Sequence, residues 1–101
     1  MGADSFFNSG LGDDPKTIFK ILVKQARHDY GNDGYTGTIA EKTEFKIVSN
    51  VPMPKSYWQS DKALKKYGDG EKWGPALAAP YCEENKTGLI IGWVFWGWAS
   101  G

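Results

Sequence analysis

The run Leu-Ile-Ile-Gly-Trp-Val-Phe-Trp-Gly-Trp at residues 89–98 constrains this chain more than any other stretch, because it is apolar on both sides if extended. Alternate side chains of a strand point to opposite faces. Leu89, Ile91, Trp93 and Phe95 therefore fall on one side, with Ile90, Val94, Trp96 and Trp98 on the other. A chain of 101 residues can cover one face of a sheet with a helix and rarely covers both. This reading predicts that the uncovered face meets another subunit, a partner or a ligand. Isologous pairing would hide it, so a homodimer or higher closed oligomer is expected.

Charge and cysteine content narrow the function classes. Twelve basic residues balance twelve acidic ones, which disfavours nucleic-acid binding through a general basic field, although a local basic patch stays open. Cys82 is the single cysteine and His28 the single histidine, so neither an intrachain disulfide nor a zinc cluster can be assembled. A reducing cytoplasm fits this usage best. No charged-then-apolar leader opens the chain, so secretion is not expected. The 89–98 run is about half the length of a membrane helix and is rich in β-branched and aromatic residues, so no membrane span is expected. Five tryptophans, five tyrosines and five phenylalanines remain to be placed. Each buried tryptophan is worth roughly 2–3 kcal/mol or more. The rings either fill a core or form a stacking platform.

Residues 1–12 are rich in small and turn-forming types and read as a flexible segment, with Phe6, Phe7 and Leu11 able to anchor it. Residues 13–101 read as a single α+β domain. Asp14-Pro15 is a strong helix start. Ile18, Phe19, Leu22, Val23, Ala26 and Tyr30 then recur at three- and four-residue steps, while Lys16, Lys20, Lys24, Arg27 and His28 fall largely off that stripe. The expected helix covers 14–30 and stops at Gly31. Strands are expected at Thr38–Ala40 and Phe45–Val48, with a turn or bend at Glu41–Glu44. Val51-Pro-Met-Pro54 breaks the pattern, and Ser60-Asp61 caps a short helix over 61–67. Trp73–Cys82 reads as a strand that Pro75 and Pro80 make bulged or confine to an edge. The expected fold is α+β: an antiparallel sheet of about four strands, one long N-terminal helix on one face, and a short second helix.

Candidate sites follow from the glycine-rich segment 31–37. It lies after a helix and before a strand, the reverse of the dinucleotide and P-loop order, so neither fingerprint is present. Backbone amides at Gly34, Tyr35, Thr36 and Gly37 can form an anion nest, with the Thr36 and Thr38 hydroxyls assisting, or the glycines can simply allow a sharp turn. Glu41 and Lys42 follow, as a functional pair or a solvated one. Lys72-Trp-Gly-Pro-Ala76 combines a cation, an indole and a turn, shaping a pocket rim or plugging a strand start. Tyr35, Trp73 and Trp96 are the stacking candidates. His28 without a nucleophile is weak support for catalysis. Cys82 reads as a packing residue, and the acidic pairs Asp13/Asp14 and Glu83/Glu84 suit capping and solvation. Asn85-Lys-Thr87 fits the glycosylation pattern but carries no weight without a leader.

Three segments, Gly34-Tyr-Thr-Gly-Thr-Ile-Ala-Glu-Lys42, Lys72-Trp-Gly-Pro-Ala76 and Phe95-Trp-Gly-Trp-Ala-Ser100, resemble those of a group of small bacteriophage-encoded proteins with the same order of blocks. The likeness spans residues 14–100 in outline and is specific only in these blocks. The chain departs from the group at Asn32-Asp33, where a histidine is frequent, and at Ala78-Ala-Pro80, where a plainer strand is usual. The first departure argues against a histidine-dependent chemistry. The resemblance implies an accessory role in the cytoplasm of an infected bacterium.

The leading expectation is a non-enzymatic protein that sequesters a small anionic, nucleotide-like ligand, a signal of host defence, at Tyr35, Thr36, Gly37, Thr38, Glu41, Lys42, Lys72, Trp73 and Trp96. The alternative is an inhibitor or adaptor that presents its tryptophan-rich strand to a host protein. The third is a small nucleotide hydrolase with Glu41 or His28 as general base. No cofactor, metal or membrane partner is expected.

Overall fold

The computed structural model describes residues 3–30, 37–70, 73–86 and 88–100. In chain order these form β1 (Ala3–Leu11), α1 (Pro15–Tyr30), a 3-10 turn (Ile39–Glu41), β2 (Phe45–Ile47), β3 (Met53–Pro54), α2 (Lys55–Trp58), α3 (Asp61–Tyr67), β4 (Ala76–Cys82) and β5 (Gly92–Ser100). The class is α+β. The sheet is mixed and five-stranded, in the order β1-β5-β4-β2, with β3 also paired to β4. β5 runs antiparallel to β1 and to β4, whereas β2 and β3 run parallel to β4. Parallel neighbours need a crossover rather than a hairpin. The segment holding α2 and α3 supplies it, which is why an all-antiparallel sheet of four strands is not what forms.

Local chemistry accounts for the helices. The Asp14 carboxylate accepts the Lys16 amide at 3.1 Å and the Thr17 hydroxyl at 2.8 Å, using a donor that the first turn would leave unpaired. The Thr17 hydroxyl, and then the Lys16 amide, hold the Asp14 carboxyl below its ordinary value of 3.8. Ile18, Phe19, Val23 and Ala26 are buried along the expected stripe. α3 matches its expected span, with the Ser60 hydroxyl accepting the Ala63 amide. Thr38–Ala40 is not a strand. The Thr38 hydroxyl accepts the Ala40 amide at 3.2 Å and caps the 3-10 turn instead, the local competition with extended structure that threonine permits.

The first residues also differ from expectation. Ala3–Leu11 is not a loose arm but a nine-residue edge strand, aligned with β5 from Ala3↔Ser100 to Leu11↔Gly92. Its two rings divide between the two cores: Phe6 joins the one beneath α1, and Phe7 packs against the other. The long helix is consequently the second element rather than the first.

β5 is apolar on both faces, as its sequence requires, and its own chain covers both. Trp93, Phe95 and Ala99 join Phe19, Val23 and Ile39 in the core beneath α1. Val94 and Trp96 join Trp58, Ala63 and Tyr81 in a second core against α2 and α3. Val94 and Phe95 are fully buried. The expected shortage of cover therefore does not arise, because 55–67 folds back as two short helices instead of one. The case for a homo-oligomer built on an uncovered face loses its basis. Leu89 and Ile90 precede β5 and are exposed, and Ile91 packs beside the second core rather than with Trp93 and Phe95.

β4 is interior rather than an edge, yet it carries Pro80. The Ala76 amide donates to the Glu44 carbonyl and the Ala78 carbonyl accepts the Val48 amide. By strand alternation Pro80 faces the same side, in the gap between the residues paired with β2 and those paired with β3. A missing donor does least harm there. The Pro80 carbonyl instead accepts the buried Trp58 indole N–H at 2.9 Å.

Candidate functional site

A cleft of about 580 Å³ lies between α1 and the chain entering β2. Lys16, Lys20 and Lys24, four residues apart on one flank of α1, and Arg27 form one wall with Phe19 and Val23. Lys42, Thr43, Glu44 and Phe45 form the other. Four residues of helix rise about 6 Å, so the cations from Lys16 to Arg27 form a row roughly 16 Å long. Among the described residues five cationic side chains line this space, four of them exposed on α1 and the fifth, Lys42, buried, with one carboxylate, Glu44. Long basic side chains lay their stems on apolar surface and keep their charged ends in water. Charge is thereby set at the rim and apolar surface at the floor, where the Phe19 and Phe45 rings lie 5.1 Å apart.

Lys42 is the hinge of this region. It is 3% exposed, and its ammonium donates to the Gly74 carbonyl at 2.8 Å. The Lys42 amide donates to Ile39 and the Glu41 amide to Thr38, which fixes the turn that delivers it. Lys42 also lines a notch of about 70 Å³ shared with Glu41, Glu44, Trp73 and Gly74. The Trp73 side chain is 74% exposed.

Of the residues singled out from sequence, Glu41, Lys42 and Trp73 share the notch, Lys42 alone also lines the cleft, and Thr38 caps the turn that leads to them. Tyr35, Thr36 and Lys72 lie outside the described residues, as does most of the expected nest. Gly37 is buried with φ 70°, and the space a side chain would occupy there is taken by the Asp4 carboxylate. Trp96 does not belong to this site. It lies on the α2–α3 side, stacked on Trp58 at 5.7 Å and 24°, and its indole N–H donates to the Gly68 carbonyl. The sequence reading missed Lys16, Lys20, Lys24 and Arg27. Their regular spacing was the available signal, but it also describes the watery side of any amphipathic helix.

The hydrolase candidates gain nothing from the geometry. His28 is exposed near the end of α1, and Cys82 is buried at the end of β4. Among the described residues no three histidine, cysteine or acidic side chains gather to hold a metal. No helix among them is long and apolar enough to cross a membrane. The adaptor reading also loses its presenting element, since both edges of β5 are paired, to β1 and to β4. No protein-family model, curated protein or solved structure matches this chain.

Proposed function

We propose that this protein binds and sequesters a small anion with an apolar or aromatic part, nucleotide-like in chemistry, in the cleft between α1 and β2. One observation carries the reading: four exposed cationic side chains of α1 stand over an apolar floor, with one carboxylate, Glu44, among the described residues of the lining. Phosphate oxygens accept charge-assisted hydrogen bonds from lysine and arginine, which are stronger than neutral ones. A base or other flat group lying on the Phe45 side of the floor adds ring contact, worth ~1–3 kcal/mol for a stacked base. The row on α1 favours ligands with more than one anionic group. In a phage accessory role, such a ligand would be a signal of the infected cell.

The test is isothermal calorimetry with nucleoside mono-, di- and triphosphates and with linear and cyclic dinucleotides. Saturable binding that weakens at least tenfold in Lys20→Glu/Lys24→Glu is expected. Failure of every ligand to bind at millimolar concentration, or equal binding by the double variant, rejects the proposal. A partner-protein reading keeps one supporting observation, the exposed Trp73 ring, and it requires that Trp73→Ala abolish capture of a single stoichiometric partner.

A further inference from the structure

We infer that two copies of this chain associate through the outer edge of β1, forming a two-fold dimer centred on Ser9. The strand order ends at β1, a nine-residue strand with the sequence Ala-Asp-Ser-Phe-Phe-Asn-Ser-Gly-Leu. It holds no proline or lysine, and its one charged residue, Asp4, lies near the start. Proline, lysine and short length are the usual guards of a sheet edge against pairing. The Gly12 amide donates to the Ile91 carbonyl, one step past the last aligned pair, Leu11↔Gly92. That phase turns the backbone groups of Asn8 and Gly10 toward β5 and those of Phe7, Ser9 and Leu11 toward the outer edge. The contact uses the edge of the sheet, so it needs no uncovered face.

Apolar side chains flank this edge on both sides of the sheet. On the α2–α3 side Phe7 is half-buried and lines a cleft of about 460 Å³ with Trp58, Trp96 and Trp98. Leu11, on the same face by alternation, is exposed. On the other side Ile18 of α1 lies against Gly10, where an added Cβ would come within 2.6 Å of its Cγ2. Ile21, Leu22 and Gln25 follow Ile18 along that flank at three-, four- and seven-residue steps, and Ile21 is exposed. The basic row of α1 lines its cleft on the opposite flank. These features select a second copy as the occupant. Antiparallel pairing about Ser9 sets the Leu11 of one copy across from the Phe7 of the other, a cross-strand apolar pair. No charged residue lies between Ser5 and Leu11, so like charges do not meet in the paired strands. The two-fold stands across the sheet, which places both α1 helices on one face with their Ile21 flanks toward each other. An isolated peptide strand could pair with the edge but has no helix to lay on Ile21.

Sedimentation equilibrium on the full chain should report a dimer at micromolar concentration. Leu11→Lys/Ile21→Lys, both at exposed positions and with the fold checked by circular dichroism, should weaken association at least tenfold. Val51→Lys, exposed between β2 and β3, should leave it unchanged. Cross-linking reads the register. Residues of a hydrogen-bonded antiparallel pair have Cα atoms about 5.5 Å apart, within the ~4.4–6.8 Å that a disulfide spans. Ser9→Cys should therefore join two copies under mild oxidation, while Ser5→Cys, four residues from the axis, should not. Cys82 is buried and takes no part. A monomeric parent, a Leu11→Lys/Ile21→Lys variant that associates like the parent, equal loss in Val51→Lys, or a Ser9→Cys variant that links no better than Ser5→Cys would overturn the inference.

Discussion

The cleft beside α1 and the cleft beside α2 and α3 share one sheet and differ in almost everything else. The first is walled by cations on long stems, and its rings are only the floor. The second is lined by rings, two of them buried and held by hydrogen bonds through their indole nitrogens, with one acidic residue among its described members. The lesson is that a formal charge of zero describes a sum and not a surface. Among the described residues the first lining is mostly cationic and the second holds a single acidic residue, so local charge differs although the sum is zero. Generic nucleic-acid binding is disfavoured by the sum, whereas recognition of a small anion depends only on the local arrangement.

Four perturbations would break or sharpen this contrast. The largest effect is expected for Trp58→Ala. This side chain is 1% exposed, stacks on Trp96 and bonds to the Pro80 carbonyl. Its truncation should cost ~3–5 kcal/mol in urea unfolding. A loss below ~1 kcal/mol would mean that the α2–α3 side is not a true core. The double charge reversal Lys20→Glu/Lys24→Glu should change stability far less, within ~1 kcal/mol for two surface substitutions, while removing anion binding. In the parent, rising salt should weaken the anion steeply, since several charges act together in that cleft. A flat salt response would show that the basic row does not hold the ligand.

The smallest effect should come from Asp14 at the start of α1. Its folded-state pKa is lowered, chiefly by the Thr17 hydroxyl and then by the Lys16 amide. A depressed carboxylate adds stability above its unfolded pKa and loses it as the pH falls through the folded value. The stability gap between the parent and Asp14→Ala should therefore be constant near neutrality and close below the ordinary value of 3.8. Urea titrations at pH 7 and in acid measure it. A gap that persists undiminished in acid would show that the cap acts without its charge.

How much of this was legible in the sequence depended on how local each cause is. Asp14-Pro15 with its apolar stripe, and Ser60-Asp61 with Ala63 and Leu64, announced α1 and α3 because capping and periodicity act within a few residues. The aromatic run announced an interior strand. β1 was hidden because Ser5, Asn8, Ser9 and Gly10 are poor strand formers, and only pairing along β5 makes them extended. The parallel pairing of β2 and β3 depends on a crossover, so no hairpin signal could reveal it. The candidate cleft was barely legible. Of the residues picked by type, Lys42 lines it, Glu41 and Trp73 lie in the neighbouring notch, and nothing local distinguishes Trp73, 74% exposed, from Trp96, 3% exposed. The lysine row became a cleft wall only when Lys42 and Phe45 were brought opposite it.

The bond from Lys42 to the Gly74 carbonyl ties the wall opposite α1 to the bend that carries an outward-facing indole. Under the proposed function, an occupant that drew this ammonium toward itself would have to give up that bond, and the change would reach a fluorophore outside the cleft.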